Sequence, residues 1–151
     1  MGTTMTTPGA NQLIAEVDVF PDHGMVIIED GGRSVTPEPG PGWGLPGTVA
    51  ASDHTIQVVT MTADTADDLG RDVAVRVYRG RDTAGLGELV FDGTLVLTEP
   101  ALAIGELLVG KEHLHQVPLD HTGPIHLQIY TQNTIPEVPA SDPTDINVLI
   151  Q

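Results

Sequence analysis

Residues 73–79 read VAVRVYR, with Val73, Val75 and Val77 on one side of a period of two and Ala74, Arg76 and Tyr78 on the other. Only an extended chain sorts side chains in this way, because successive Cβ atoms of a strand point to opposite faces. The stretch predicts a β-strand that turns its valines inward. The same period recurs downstream. Residues 124–131 (PIHLQIYT) set Ile125, Leu127 and Ile129 against His126, Gln128 and Tyr130, and residues 145–151 alternate through Ile146, Val148 and Ile150. Residues 88–98 set Leu89, Phe91, Gly93, Leu95 and Leu97 against Val90, Asp92, Thr94, Val96 and Thr98. Gly93 in the middle of that run predicts a bulge or a bend.

Further strands are expected at 13–20, 25–29, 55–63, 102–109 and 114–119. The turn Pro21-Asp22-His23-Gly24 makes 13–29 read as a hairpin, and Pro118 places 114–119 on a sheet edge. Two segments compete as helices. Residues 62–69 (TADTADDL) lack an apolar stripe, and 102–109 is weakened by Gly105. Eight or nine short strands separated by turns predict an all-β fold, an antiparallel β-sandwich in preference to an open barrel. Residues 1–12 read as a flexible leader and 13–151 as one domain. Composition points the same way: among 151 residues there are 16 valines, 10 isoleucines and 17 threonines, with 17 glycines and 12 prolines between the runs. The longest irregular stretch, Asp30 to Asp53, carries Trp43, the sole tryptophan.

The formal charge is −15, from 21 acidic and 6 basic residues. Affinity for nucleic acid rests on Lys and Arg that neutralise phosphates, so direct nucleic-acid binding is not expected. Such a surface instead keeps an aliphatic protein in solution and steers basic partners. There is no cysteine, which excludes disulfides, thiolate metal sites and thiol catalysis and suits a reducing cytoplasm. The first residues have neither a basic nor an apolar segment of a secretory signal, and no apolar run approaches the ~20 residues of a membrane-spanning helix. Membrane association is not expected.

Among candidate site residues, His113 and His115 share a face if 114–119 is extended, and His121 and His126 follow across a turn. This is a possible ligand set for Zn²⁺, Ni²⁺ or Fe²⁺. The opening His-x-His is faintly similar to a cupin metal motif, but Asp120 and the early His126 depart from it. The bland alternative is a row of solvated histidines on an edge. Asp64, Asp67, Asp68 and Asp72 form an acidic run without the spacing of an EF-hand, and it reads best as a contact surface for a basic protein. Trp43 is either an aromatic anchor for a partner or a lid over the core. The pairs Asp67/Asp68, Glu29/Asp30 and Asp142/Asp145 show no spacing that glycoside hydrolysis demands. No G-x-S-x-G elbow, P-loop or dinucleotide fingerprint is present.

The order of elements carries a resemblance. VDVFPDHGMVIIEDG, then VAVRVYRG, LVFDGTLVL, VPLDHTGPIHLQIY and the closing TDINVLIQ resemble a group of small acidic β proteins of actinobacteria. More distantly, they resemble the competence protein J type, an inhibitor of a nuclease. The resemblance covers roughly residues 13–151 in layout and brings no functional residue with it. It implies a β fold and inhibition by protein–protein contact. The leading expectation is therefore a cytoplasmic binding protein without cofactor, an inhibitor or immunity protein of a basic partner. A histidine-based metal module comes next, followed by a protein that self-associates through an edge strand.

Overall fold

The computed structural model describes residues 10–32, 49–106 and 113–151. Within them the chain forms ten strands and one α-helix: β1 (Gln12–Val19), β2 (Met25–Asp30), β3 (Val49–Ala51), β4 (Thr55–Val59), α1 (Ala63–Leu69), β5 (Val73–Arg79), β6 (Glu88–Leu97), β7 (Ala101–Gly105), β8 (His115–Pro118), β9 (Gly123–Gln132) and β10 (Asp145–Ile150). They build two five-stranded sheets, ordered β1-β5-β10-β9-β6 and β3-β4-β2-β7-β8. Every described pairing is antiparallel except β5 with β10, which runs parallel. The fold is all-β, as the alternation predicts, with one or two strands more than expected because Val49–Ala51 contributes β3.

One apolar core takes residues from both sheets. Val75, Leu127, Ile129 and Val148 come from the first, Ile28, Ile56, Val58 and Ile104 from the second, and each is fully buried. The branched aliphatics that mark the strands in sequence therefore also form the packing, as a chain with few aromatics requires. Pro118 sits on the edge strand β8, as expected from its missing N–H.

Three expectations are overturned. Residues 13–29 do not form a hairpin: β1 pairs with β5, whereas β2 pairs with β4 and β7 in the other sheet. The linker is a 3-10 turn with His23 (φ 60°) and Gly24 (φ 71°) both left-handed. The Gly24 carbonyl accepts from Thr60 N–H at the end of β4. Alternation reports which face of a strand is buried, not which strand lies beside it. Second, the strand expected over 55–63 stops at Val59, and the competing helix candidate at 62–69 supplies α1. Third, the irregularity in β6 lies between Leu89 and Phe91, not at Gly93, which pairs regularly with Leu127. The glycine serves another end. A Cβ there would lie 2.8 Å from Phe91 Cζ, so its absence makes room for the ring. The segment 102–109 resolves in favour of a strand, β7, up to Gly105.

Candidate functional site

Helix α1 has seven residues, of which only Ala66 is buried, so its existence depends on its ends. Thr62 accepts from the Thr65 N–H at 3.1 Å, and Gly70, left-handed at φ 66°, closes the last turn. Asp64, Asp67 and Asp68 are thereby held out in solvent on a short rigid element. Thr62→Ala is expected to cost about 1 kcal/mol, read as a lower urea midpoint with an unchanged slope; no loss would show that the helix does not depend on this cap.

The acidic run continues into the sheet. Pairing of β1 with β5 in the register Asp18↔Ala74 and Glu16↔Arg76 brings two further carboxylates beside Asp72. Glu16, Asp18, Arg71, Asp72 and Arg76 line an open cleft of about 600 Å³ on the outer face of the first sheet. Both guanidiniums are already engaged. Arg71 Nη2 donates to Asp145 Oδ1 at 3.0 Å, while Arg76 Nη1 donates to Asp145 Oδ2 at 2.9 Å and its Nε to Glu16 Oε2 at 2.7 Å. The hydroxyls of Thr134 and Thr144 donate to Asp145 Oδ1 at 2.8 and 2.6 Å. Burial pushes the Asp145 carboxyl pKa upward, but the hydroxyls and guanidiniums outweigh it and hold the group below its ordinary value. Asp18 and Asp72 are left on the rim, with Asp64, Asp67 and Asp68 beyond.

A second polar group occupies the outer face where β6, β9 and β10 meet. His126 Nε2 lies 2.5 Å from Asp92 Oδ1, Gln128 Nε2 donates to Asp92 Oδ2 at 3.0 Å, and His126 Nδ1 lies 3.0 Å from Gln151 Oε1. The bonds from Gln128 and His126 lower the Asp92 pKa, and the Asp92 bond raises that of His126. This is a surface ion pair with ordered partners. Beside it the segment between β5 and β6 folds back over the sheet. Leu86 packs with Tyr130 and Leu149, and Asn147 Nδ2 holds the Leu86 carbonyl at 2.8 Å.

The sequence-derived candidates are placed as follows. Asp64, Asp67 and Asp68 share α1, and Asp72 lies just beyond it in the cleft. His115 opens β8, so strand alternation does not set His113, which precedes it, on the same face. His121 Nδ1 lies 2.8 Å from Asp120 Oδ1, and His126 belongs to the Asp92 group. Among the described residues no group of three or more His, Asp or Glu side chains is placed to hold a metal ion. Trp43 lies outside the described residues. Sequence reasoning missed Glu16, Asp18, Arg71, Arg76 and Asp145 as one cluster. The local signal was an acid at the head of a largely apolar strand, but one arginine partner lies 69 residues away.

No family model and no curated protein matches the sequence. The structure is similar to the crystal structure of ComJ, inhibitor of the DNA degrading activity of NucA, from Bacillus subtilis. The TM-score is 0.62 and the identity 10%, over 93% of this chain and 97% of that one. It is also similar to the structure titled crocagin biosynthetic gene J, with a TM-score of 0.50 and 11% identity over the same shares of the two chains. At such identities the likeness shows a common fold. Among the described residues no helix is long and apolar enough to cross a membrane.

Proposed function

We propose that this chain is a cytoplasmic β-sandwich protein that binds and inhibits a basic protein partner, a nuclease in its sharpest form. The observation that carries the reading is the acidic end. Asp18 and Asp72 rim a cleft whose arginines are spent on Asp145 and Glu16, and Asp64, Asp67 and Asp68 extend the same charge along α1. Carboxylates held on strand and helix can occupy positions where a nuclease receives phosphates, and a chain of net charge −15 is steered toward a cationic groove. The likeness to an inhibitor of a DNA-degrading activity supports this at the level of the fold.

The test is the association rate with a basic nuclease, together with residual nuclease activity, across ionic strength. Between about 20 mM and 500 mM salt the rate is expected to fall on the order of tenfold or more. The triple variant D64N/D67N/D68N should start slower and fall less steeply. A rate indifferent to salt would remove electrostatic capture, and full nuclease activity at saturating protein would remove inhibition.

A further inference from the structure

The two halves of β6 have different free edges. On its C-terminal half, Val96 faces Pro124 of β9, which has no N–H to offer. Val96 accordingly turns its backbone outward, donating to the Asp53 carbonyl at 2.8 Å, while His54 Nδ1 reaches the Val96 carbonyl at 2.9 Å. This half of the edge is closed. The antiparallel ladder alternates with period two, so Thr94 and Asp92 also point their N–H and C=O groups away from β9. No hydrogen bond of the described residues meets them on that side. Both residues are exposed. The irregularity between Leu89 and Phe91 then brings Leu89 opposite Tyr130, on the outer face with Asp92, where it is 46% exposed. The open stretch therefore combines unpaired backbone, an exposed leucine and an acid. Proteins usually protect such an edge, because it is a template for another strand.

We infer that the open edge of β6 at Asp92 and Thr94 takes up an extended basic strand of a partner protein, which adds a sixth strand to this sheet. Strand addition draws affinity from backbone bonds and specificity from alternate side chains. On the outer face, Leu89 and Asp92 stand beside Tyr130 and Gln128 of β9, which are two residues apart. The incoming strand is thus read as an apolar residue against Leu89 and, two positions away, a Lys or Arg against Asp92. A second copy of this chain fits poorly. Antiparallel self-pairing centred on Asp92 sets that acid against itself, centring on Val90 sets Glu88 against Asp92, and each chain carries a net charge of −15. The inference deepens the reading of the chain as a binder of basic proteins and rests on it, but uses a surface separate from the acidic end.

The experiment is amide hydrogen exchange on the full chain, read residue by residue. The probe is a synthetic six-residue peptide with a valine and a lysine two positions apart and threonine at the other positions, with its glutamate-for-lysine counterpart as control. The Asp92 and Thr94 amides are expected to exchange about tenfold more slowly with the lysine peptide and to be unchanged with the glutamate one. Thr94→Pro removes the outward donor and should abolish the protection. Asp92→Lys leaves the backbone intact, keeps the test valid if the proline variant fails to fold, and should abolish it as well. D64N/D67N/D68N should retain it. Equal protection by both peptides, no protection, or protection that grows with protein concentration alone would each overturn the inference, the last by making a second copy the occupant. Protection lost in D64N/D67N/D68N would place the peptide on the acidic end and also overturn it. Protection that persists while nuclease association proves insensitive to salt would leave the strand site standing and remove electrostatic capture instead.

Discussion

Asp145→Ala is expected to destabilise the fold by about 3 kcal/mol, the lower end of what breaking a buried ion pair costs. The carboxyl is 1% exposed and receives two guanidiniums and two hydroxyls. Its removal leaves Arg71 without its carboxylate and Arg76 with Glu16 alone. The lower end applies because those arginines are 36% and 28% exposed, so water recovers part of their solvation. The pH dependence has a definite sign. The folded-state pKa lies below the ordinary 3.8, so the carboxylate's contribution is present above that value and is lost as pH falls through the depressed folded value. The stability gap between parent and variant, read from urea unfolding, should be widest at neutral pH and narrow as pH falls below 3.8 through the depressed folded value. A gap below about 1 kcal/mol at neutral pH would mean that the two arginines do not need this anion. Because Arg76 also holds Glu16 at 2.7 Å, the variant should loosen the rim of the acidic cleft. Association with a basic partner then becomes slower even where the protein remains folded.

Sequence patterning disclosed faces, and the structure disclosed neighbours. The inward valines of β5 and the aliphatic triplets of β9 and β10 were legible because a half-buried strand imprints a period of two on its own residues. The placement of β1 and β2 in different sheets was not, since their apolar residues record burial and not which strand lies beside them. Helix α1 was legible only at its termini. Thr62 and Gly70 are ordinary cap residues, whereas a helix with one buried side chain leaves no stripe to detect. The acids of α1 showed as a charge run, but Glu16 and Asp18 joined them through a register set by strands 60 residues apart, the separation of Glu16 from Arg76. Asp145 read only as the first residue of a closing strand, because its neutralising charges are distant in sequence.

Leu95→Ala and Leu89→Ala make the same chemical change on one strand, and alternation alone predicts equal losses because both residues fall on its apolar phase. The structure predicts unequal ones. Leu95 is fully buried in the shared core and pairs with Ile125, so its truncation should cost about 2–5 kcal/mol through lost burial and the cavity left behind. Leu89 lies beyond the extra residue of the bulge, where the count of faces is shifted by one, and is 46% exposed. Its truncation should stay within about 0.5 kcal/mol. Urea midpoints of the two variants decide the matter: a large loss at Leu89 would put that side chain back in the core and the irregularity elsewhere. The same shift explains why β6 presents an apolar side chain beside Asp92 on its open edge. A regular strand would have buried Leu89 and left that edge without an apolar contact for an incoming strand. Leu89→Ala should therefore spare stability while weakening any strand added at Asp92 and Thr94, a separation of effects that a purely structural leucine would not show.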